Sequence, residues 1–225
     1  IDRGLVGSEM CIRDRQFGTQ SQFKNEFVTE IAATLAFSAT QNNDKIGLIL
    51  FSNEVELFIP PKKGRSHVLR IIRELLEFKP KNKETDISEA LRFLSSVMKK
   101  KAIVFVLSDF LSADYKQNLK IMAGKHDVTG IRVFDKSEVE IPKLGVVQMI
   151  DQETGKSHLV NTNLKRVRNN YAKYQKDRIH YYEDSFKKSG AGFLSCGTNE
   201  SYVKKLLGYF KPVSYTHLRA HETSI

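Results

Sequence analysis

The chain has 225 residues, 40% of them hydrophobic, and a formal net charge of +10. This length predicts one domain with a sizeable core and argues against two large domains. No apolar stretch approaches the roughly 18 residues of a membrane-spanning helix and no signal-peptide pattern is present, so we expect a cytoplasmic protein without a membrane partner. The two cysteines, Cys11 and Cys196, are too far apart in the sequence to indicate a disulfide framework or a zinc cluster.

The two ends of the chain differ in pattern from the rest. Residues 1–15 and 213–225 show neither helical nor strand periodicity over useful lengths. They resemble translated sequencing-adapter read-through, as in the strings GLVGSEMCIRD and SYTHLRAHET. We therefore expect both ends to be non-native and a single domain to occupy residues 16–212.

A helix followed by a hairpin is predicted in the first part of this domain. Between about residues 22 and 42, every fourth position is apolar, at Phe23, Phe27, Ile31 and Leu35. This spacing predicts a helix packed on a sheet. The run KIGLILFS predicts a buried strand, and VELFIPP predicts a second strand that pairs with it. Pro60 and Pro61 restrict that second strand to an edge or an end of the sheet.

Two further helices are predicted before the next strand. Ser66 is expected to cap the first of them, and Asp86 the second, with Glu89 three residues later as in a capping box. The run KAIVFVLSDF follows and predicts a buried parallel strand, because β-branched and aromatic residues dominate it. Its last residues, Ser108 and Asp109, are therefore expected at the carboxyl edge of the sheet, where open α/β sheets bind ligands.

The second half of the domain continues the alternation of strands and helices. A helix through Leu119 and Met122 precedes the strand DVTGIRVFD, and LGVVQMID with SHLVNT predicts a hairpin around an Asp-Gln-Glu-Thr-Gly turn. A long amphipathic helix ends at Gly190, the strand AGFLSCG follows, and a last helix is predicted from Ser201 to Phe210. The expected fold is α/β, with three layers and a mostly parallel sheet covered by helices on both faces.

Two oxygen-bearing side chains are candidate metal ligands at the expected carboxyl edge. Thr85 lies just before the Asp86 cap, and Asp109 follows the buried strand. A hydroxyl and a carboxylate are hard donors of the kind that Mg²⁺ accepts. From propensity alone, helix capping and a turn carboxylate explain the same two residues.

Six strings of the chain occur in a characteristic order and spacing, namely FGTQSQFK, NNDKIGLILFSNEVELFIPPKKGRSHVLRIIREL, ETDISEALRFL, VFVLSDFLSADY, KHDVTGIRVFD and TNESYVKKLLGYF. This pattern resembles one bacterial family, the von Willebrand factor A-like domain of unknown function found beside MoxR-type AAA+ ATPases. The likeness spans about Gln16 to Pro212. It implies a von Willebrand factor A-like fold and a protein partner, a MoxR-type ATPase or its client.

The resemblance also implies a metal-ion-dependent adhesion site, built from D-x-S-x-S after the first strand and from one Thr and one Asp of later loops. By position, Thr85 and Asp109 match that Thr and Asp. The D-x-S-x-S element belongs before FGTQSQFK, where this chain has MCIRD, and Met10 and Ile12 cannot bind a hard cation. We therefore expect the first central strand to be missing or replaced. The intact parent is expected to bind Mg²⁺ or a similar divalent cation, and this chain to bind it weakly or not at all.

The positive charge of the chain leaves a second class of function open. Basic residues cluster at Lys62, Lys63, Arg65, His67, Arg70 and Arg73, and again on the long helix at Lys165, Arg166, Arg168, Lys173, Lys176 and Arg178. Such clusters bind acidic protein surfaces or are simply solvated. Tyr171 and Tyr174 beside the second cluster could stack bases, although their spacing is also that of core residues. A nucleic-acid-binding protein is the alternative hypothesis.

The sequence favours a binding module over an enzyme. Ser108 has no G-x-S-x-G elbow around it, and no H-E-x-x-H or phosphate-binding G-x-x-x-x-G-K-[ST] motif occurs. The histidines within the predicted domain have no partner at a recognisable spacing. We therefore expect no catalysis and no catalytic or cofactor-binding residues.

Overall fold

The computed structural model describes residues 2–3, 24–82, 85–112, 114–150 and 157–219. Helices and strands alternate through most of this part of the chain, as expected of an α/β domain. The helices are α1 (Lys24–Gln41), α2 (Arg65–Glu77), α3 (Ile87–Val97), α4 (Lys116–Lys125), α5 (Lys136–Val139), α6 (Lys165–Ser189) and α7 (Tyr202–Arg219). The strands are β1 (Asp2–Arg3), β2 (Ile46–Phe51), β3 (Val55–Lys62), β4 (Ala102–Ser108), β5 (Asp127–Phe134), β6 (Val146–Ile150), β7 (Ser157–Asn161) and β8 (Gly192–Gly197).

A four-stranded parallel sheet forms the centre of the described structure, in the order β1-β4-β5-β8. The connections between β4, β5 and β8 contain helices, because parallel neighbours need a crossover. Within the described residues, β2 pairs with β3 and β6 pairs with β7, each as an antiparallel hairpin. Both hairpins were predicted from the sequence and are confirmed, although the turn between β6 and β7 lies outside the described residues.

Each face of the parallel sheet carries its own apolar layer. Leu107, Ile131, Val133 and Cys196 pack with α1, α2 and α7, whereas Ala102, Val104, Val106 and Val128 pack with α3, α4 and α6. Buried residues of β2 follow the same division, since Leu48 and Leu50 join the first layer and Ile49 and Phe51 the second. The predicted three-layer α/β fold is confirmed.

Of the two helix caps predicted from the sequence, the one at the start of α2 is wrong and the one at the start of α3 is confirmed. Ser66 does not cap α2, because the helix begins at Arg65 and is preceded by Gly64 at φ 105, with no side-chain cap. This left-handed backbone suits glycine and lets the chain turn without a capping hydroxyl. Asp86 does cap α3, since its Oδ1 accepts from the backbone N–H of Glu89 at 3.0 Å.

Helix α6 is held against β5 by a close approach at Gly130. The Tyr182 hydroxyl lies 2.9 Å from the Gly130 carbonyl and 3.0 Å from the Leu194 carbonyl, one on each of two neighbouring strands. A Cβ at Gly130 would lie 2.5 Å from the Phe186 ring, so only glycine fits there. At the other end, Gly190 closes α6 in the left-handed conformation at φ 71, which confirms the predicted helix end.

The predictions about the two ends of the chain involve residues that are only partly described. Asp2 and Arg3 pair in parallel with Ala102 and Ile103 of β4. The absence of the first central strand stays a prediction, because residues 4–23 lie outside the described part. Helix α7 continues to Arg219, beyond the predicted end at Phe210 and into residues 213–225, whose non-native origin stays a prediction.

Candidate functional site

The ends of β2 and β4 meet the start of α3 at the carboxyl edge of the strands. The backbone N–H of Asp86 donates to the Ser52 carbonyl at 2.9 Å, which ties the start of α3 to the end of β2. The backbone N–H of Ile87 donates to the Ser112 hydroxyl at 3.5 Å, which ties it to the loop after β4. Thr85 and Asp109 therefore lie in adjoining loops.

The Asp109 carboxylate is held by a tight local turn. Ser108 Oγ accepts from the backbone N–H of Phe110 at 2.9 Å, and Asp109 Oδ1 accepts from the backbone N–H of Leu111 at 3.1 Å. Phe110 takes a positive φ of 56, which is uncommon for a bulky side chain. Its ring is buried and stacks on Tyr182 with 4.5 Å between centroids, so core packing stabilises the strained turn.

A buried lysine joins two carboxylates at this edge. Lys24 Nζ, on the first residue of α1, lies 3.3 Å from Asp109 Oδ2 and 3.0 Å from Glu138 Oε1. The three side chains are only 9%, 12% and 22% exposed, respectively. Burial in this setting strengthens the attraction between opposite charges and raises the cost of leaving any one of them unpaired.

Glu138 is positioned by the loop after β5 and by α6. Its Oε2 accepts from the backbone N–H of Asp135 at 3.2 Å, and its carbonyl accepts from the Tyr171 hydroxyl at 2.8 Å. Asp135 is itself buried, and its Oδ2 accepts from the Thr198 hydroxyl at 2.7 Å, which links the ends of β5 and β8. The carboxyl ends of β4, β5 and β8 therefore form one connected polar edge.

A buried arginine adds a second positive charge near this edge. Arg132 lies on β5, with its guanidinium carbon 4.5 Å from the centroid of the Phe134 ring. Burial lowers the pKa of Arg132, and the negative charges of Glu138 and Asp109 oppose that shift. The carboxylates at this edge are thus offset by cations that belong to the fold.

Sequence reasoning selected Asp109 as a metal ligand, which stays a prediction, and did not select Lys24 or Glu138. Asp109 could be predicted because it directly follows a continuous apolar strand. The position of Glu138 after β5 was a usable signal, since the loops after parallel strands share one edge. No comparable signal marks Lys24, whose partners lie 85 and 114 residues away in the sequence.

The described residues do not supply a complete divalent-cation site. Within them, no group of three or more His, Cys, Asp or Glu side chains is arranged to hold a metal. Both Asp109 oxygens already accept hydrogen bonds, one from Leu111 and one from Lys24. The segment expected to carry D-x-S-x-S lies among residues 4–23 and outside the described part.

The two basic clusters lie mainly on helix surfaces. Next to α2, most of the basic side chains are exposed, but a His67 ring nitrogen lies 2.8 Å from the Ile46 carbonyl and helps to join α2 to β2. On α6, Tyr171 donates its hydroxyl to Glu138, whereas Tyr174 is 55% exposed and lies beside Arg178. Of the two tyrosines considered for base stacking, Tyr174 is the one on the surface.

A family model described as "Protein of unknown function DUF58" matches residues 10–181. An uncharacterized protein of Mycobacterium tuberculosis is 25% identical over 142 residues, which cover 62% of this chain and 45% of that protein. The chain thus spans about half the length of this curated relative. The two proteins are therefore similar over a shared region, and the remaining part of the longer relative is not matched by this chain.

Two solved structures from Bacteroides share the fold at low sequence identity. BatB of Bacteroides thetaiotaomicron has a TM-score of 0.57 and 14% identity, with 96% of this chain and all of that chain covered. An aerotolerance-related membrane protein of Bacteroides fragilis has a TM-score of 0.59 and 12% identity, with 94% of this chain and 100% of that chain covered. These values support the α/β assignment made from the strands and helices.

These neighbours contradict the cytoplasmic location expected from the sequence, because a protein of the same fold is described as a membrane protein. Across the residues that the structure describes, no helix combines the length and hydropathy needed to cross a bilayer. The expectation was wrong because a domain's composition reflects its own exposure to water and does not report where the polypeptide carrying it resides.

Proposed function

This chain belongs to the family described as protein of unknown function DUF58, and we propose that it is a non-enzymatic protein-binding module. Its proposed contact site is the carboxyl edge formed by the loops of Thr85 and Asp109. The observation that carries the proposal is the bond between Ile87 and Ser112, which holds these two loops side by side. Ligands of open α/β sheets bind at this kind of edge.

The proposed partner is a MoxR-type AAA+ ATPase or a client of such an ATPase, as the sequence resemblance implies. In the intact parent, Thr85 and Asp109 would share Mg²⁺ or a similar cation with the D-x-S-x-S element, and the cation would attract a carboxylate of the partner. The described donors of this chain do not complete that set, so its contact with the partner is assigned to the loops themselves.

The non-enzymatic part of the proposal is supported by how the polar side chains are used. The Ser108 hydroxyl accepts a hydrogen bond within the turn, and both Asp109 oxygens are engaged by Leu111 and Lys24. A nucleophile needs a neighbouring base to activate it. The contacts of Ser108 and Asp109 instead stabilise the loop, which suits a surface that binds without reacting.

A nucleic-acid-binding role is the competing proposal, and the exposed basic residues of α6 together with Tyr174 support it. It predicts a steep loss of affinity as salt is raised, because each neutralised phosphate releases counterions. Fluorescence anisotropy with labelled single-stranded DNA and RNA at several salt concentrations tests it. A flat salt response, or no binding at low salt, excludes this role.

Binding of a purified MoxR-type ATPase, measured by biolayer interferometry, tests the leading proposal. Asp109→Asn and Thr85→Val are expected to weaken binding by about tenfold or more, as for residues near the centre of an interface. Asp127→Asn is the matched control, since Asp127 is exposed at the start of β5, the opposite end of the same sheet. Equal affinity of all three variants and the unchanged chain would refute the assignment of the edge.

A further inference from the structure

We infer that the Lys24 ammonium acts as a built-in cation at the carboxyl edge, joining Asp109 to Glu138 and keeping divalent metal ions from this pair of carboxylates. The inference goes beyond the proposed function, because it concerns what neutralises the edge and needs no partner. Glu138 and Lys24 lie outside the set of ligands that the sequence predicts, whereas Asp109 belongs to both sets, so the inference is limited to the position between Asp109 Oδ2 and Glu138.

The geometry supports one shared position for positive charge between the two acids. A single atom, Lys24 Nζ, lies 3.3 Å from Asp109 Oδ2, 3.0 Å from Glu138 Oε1 and 3.4 Å from Glu138 Oε2. The two carboxylates therefore converge on one point from different elements, the loop after β4 and helix α5. A backbone hydrogen bond holds each carboxylate in place. The Leu111 N–H donates to Asp109, and the Asp135 N–H donates to Glu138.

Electrostatics explains why an ammonium at that point excludes a dication. Two positive ions cannot share the same few ångströms between the acids without strong repulsion, which is largest where side chains are buried. Removing only the ammonium leaves the two fixed carboxylates without the positive charge that lies between them, while the buried Arg132 remains as a nearby cation. The two carboxylates then repel each other. A hard divalent ion, which prefers oxygen ligands and keeps several bound waters, would reduce that repulsion.

The test compares Mn²⁺ binding by the unchanged chain and by Lys24→Met, using calorimetry and electron paramagnetic resonance. We expect Lys24→Met to bind Mn²⁺ about tenfold or more tightly than the unchanged chain, because the competing charge is gone. The double variants with Asp109→Asn or Glu138→Gln should lose this gain. Lys116→Met is the matched control, because within the described residues Lys116 Nζ pairs with one carboxylate, that of Asp184 at 3.7 Å, and otherwise lies over the Tyr181 ring, 4.4 Å from its centroid.

Either of two results in this experiment overturns the inference. The first is tight Mn²⁺ binding by the unchanged chain that disappears in Asp109→Asn, which would mean that Lys24 does not exclude the metal. The second is no greater gain in Lys24→Met than in Lys116→Met, which would mean that the two acids do not form a latent site. Circular dichroism establishes beforehand that each variant is folded.

A second measurement covers the case in which Lys24→Met does not fold. Reductive methylation of the unchanged protein, followed by mass spectrometry, compares the amine of Lys24 with that of Lys116, which is 41% exposed at its side chain. We expect Lys24 to react several-fold more slowly, and to become more reactive in Glu138→Gln. Equal reactivity of Lys24 and Lys116 would overturn the inference. Failure of the ATPase-binding experiment would leave both of these measurements unaffected.

Discussion

The backbone N–H of Ile87 donates a hydrogen bond to the Ser112 hydroxyl, with 3.5 Å between N and Oγ. This bond joins the first turn of α3 to the loop after β4, two segments that are adjacent in space but separate in the sequence. The Ile87 amide belongs to the first turn of a helix, where backbone donors have no partner within the helix itself. Ser112 therefore satisfies a helix end while aligning the loops of Thr85 and Asp109.

Substitution of Ser112 tests how much this connection contributes to stability. We expect Ser112→Ala to lower the free energy of unfolding by about 1–2 kcal/mol, because a buried backbone donor loses its acceptor. Urea denaturation followed by circular dichroism measures the change. Ser96→Ala is the control, since Ser96 is exposed on α3, and a change within about 0.5 kcal/mol is expected there. Equal effects of the two substitutions would contradict the role given to Ser112.

The starts of α2 and α3 give a prediction with opposite expectations for two polar residues. Asp86→Ala should lower the free energy of unfolding by about 1 kcal/mol, because the Glu89 amide loses its capping acceptor. Ser66→Ala should be neutral or slightly stabilising, because Ser66 lies inside α2, is exposed and makes no cap. Thermal unfolding of both variants checks this. A loss of stability in Ser66→Ala as large as that in Asp86→Ala would mean that Ser66 caps α2 after all.

Two glycines differ in the space around them, so we expect replacing each by alanine to have opposite effects on the free energy of unfolding. Gly130→Ala should lower the free energy of unfolding by about 1–3 kcal/mol, because the new Cβ would overlap the Phe186 ring. Gly124→Ala should raise it by about 0.5 kcal/mol, because Gly124 is helical in α4 and nothing lies within contact distance of its Cβ position. Chemical denaturation of both variants measures the difference. Tolerance of Gly130→Ala would show that α6 can shift on β5.

His126 makes stability depend on pH in a direction that follows from its burial. Its Nδ1 accepts from the Ala102 amide at 3.2 Å, and Nε2 is buried without a hydrogen-bond partner in the described part of the chain. Burial lowers the pKa of His126, and the neighbouring charge of Lys125 lowers it further. The folded state thus binds a proton less readily than the unfolded state. The stability from neutral His126 is complete above its ordinary pKa of 6.5 and is lost as pH falls through the lower folded pKa.

The pH dependence of urea denaturation tests this with His126→Asn, which keeps an acceptor for the Ala102 amide but does not titrate. Between about pH 7.5 and pH 5.5, the unchanged protein should lose more of its free energy of unfolding than the variant does. Identical pH dependence of the two proteins would mean that His126 is not held neutral by the fold.

The sequence predicted the strands well where apolar runs are continuous and bounded by turns. KIGLILFS and KAIVFVLSDF correspond to β2 and β4, because β-branched and aromatic residues buried on both faces leave few other conformations. The start of α2 was predicted less well. A serine near a helix start is a strong capping signal, but the positive φ of Gly64 provided the turn one residue before the helix. Local propensity cannot reveal which of two neighbouring residues makes the turn.

The candidate site could be predicted only in part, for a similar physical reason. Asp109 and Thr85 precede or follow regular elements, so their place near the sheet edge follows from topology. The ion pairs of Lys24 depend on where α1 and α5 pack on the sheet, which no local pattern specifies. A charge at a helix start is usually solvated, whereas the folded protein buries this one between two acids.

Hydrogen–deuterium exchange of the protein with and without a MoxR-type ATPase tests the central claim most directly, because it locates the contact without any substitution. The account predicts slower exchange on binding in residues 85–89 and 109–112, the two loops joined by Ile87 and Ser112, and unchanged exchange on α6. Protection confined to α6 or to α2, with the two loops unaffected, would contradict it.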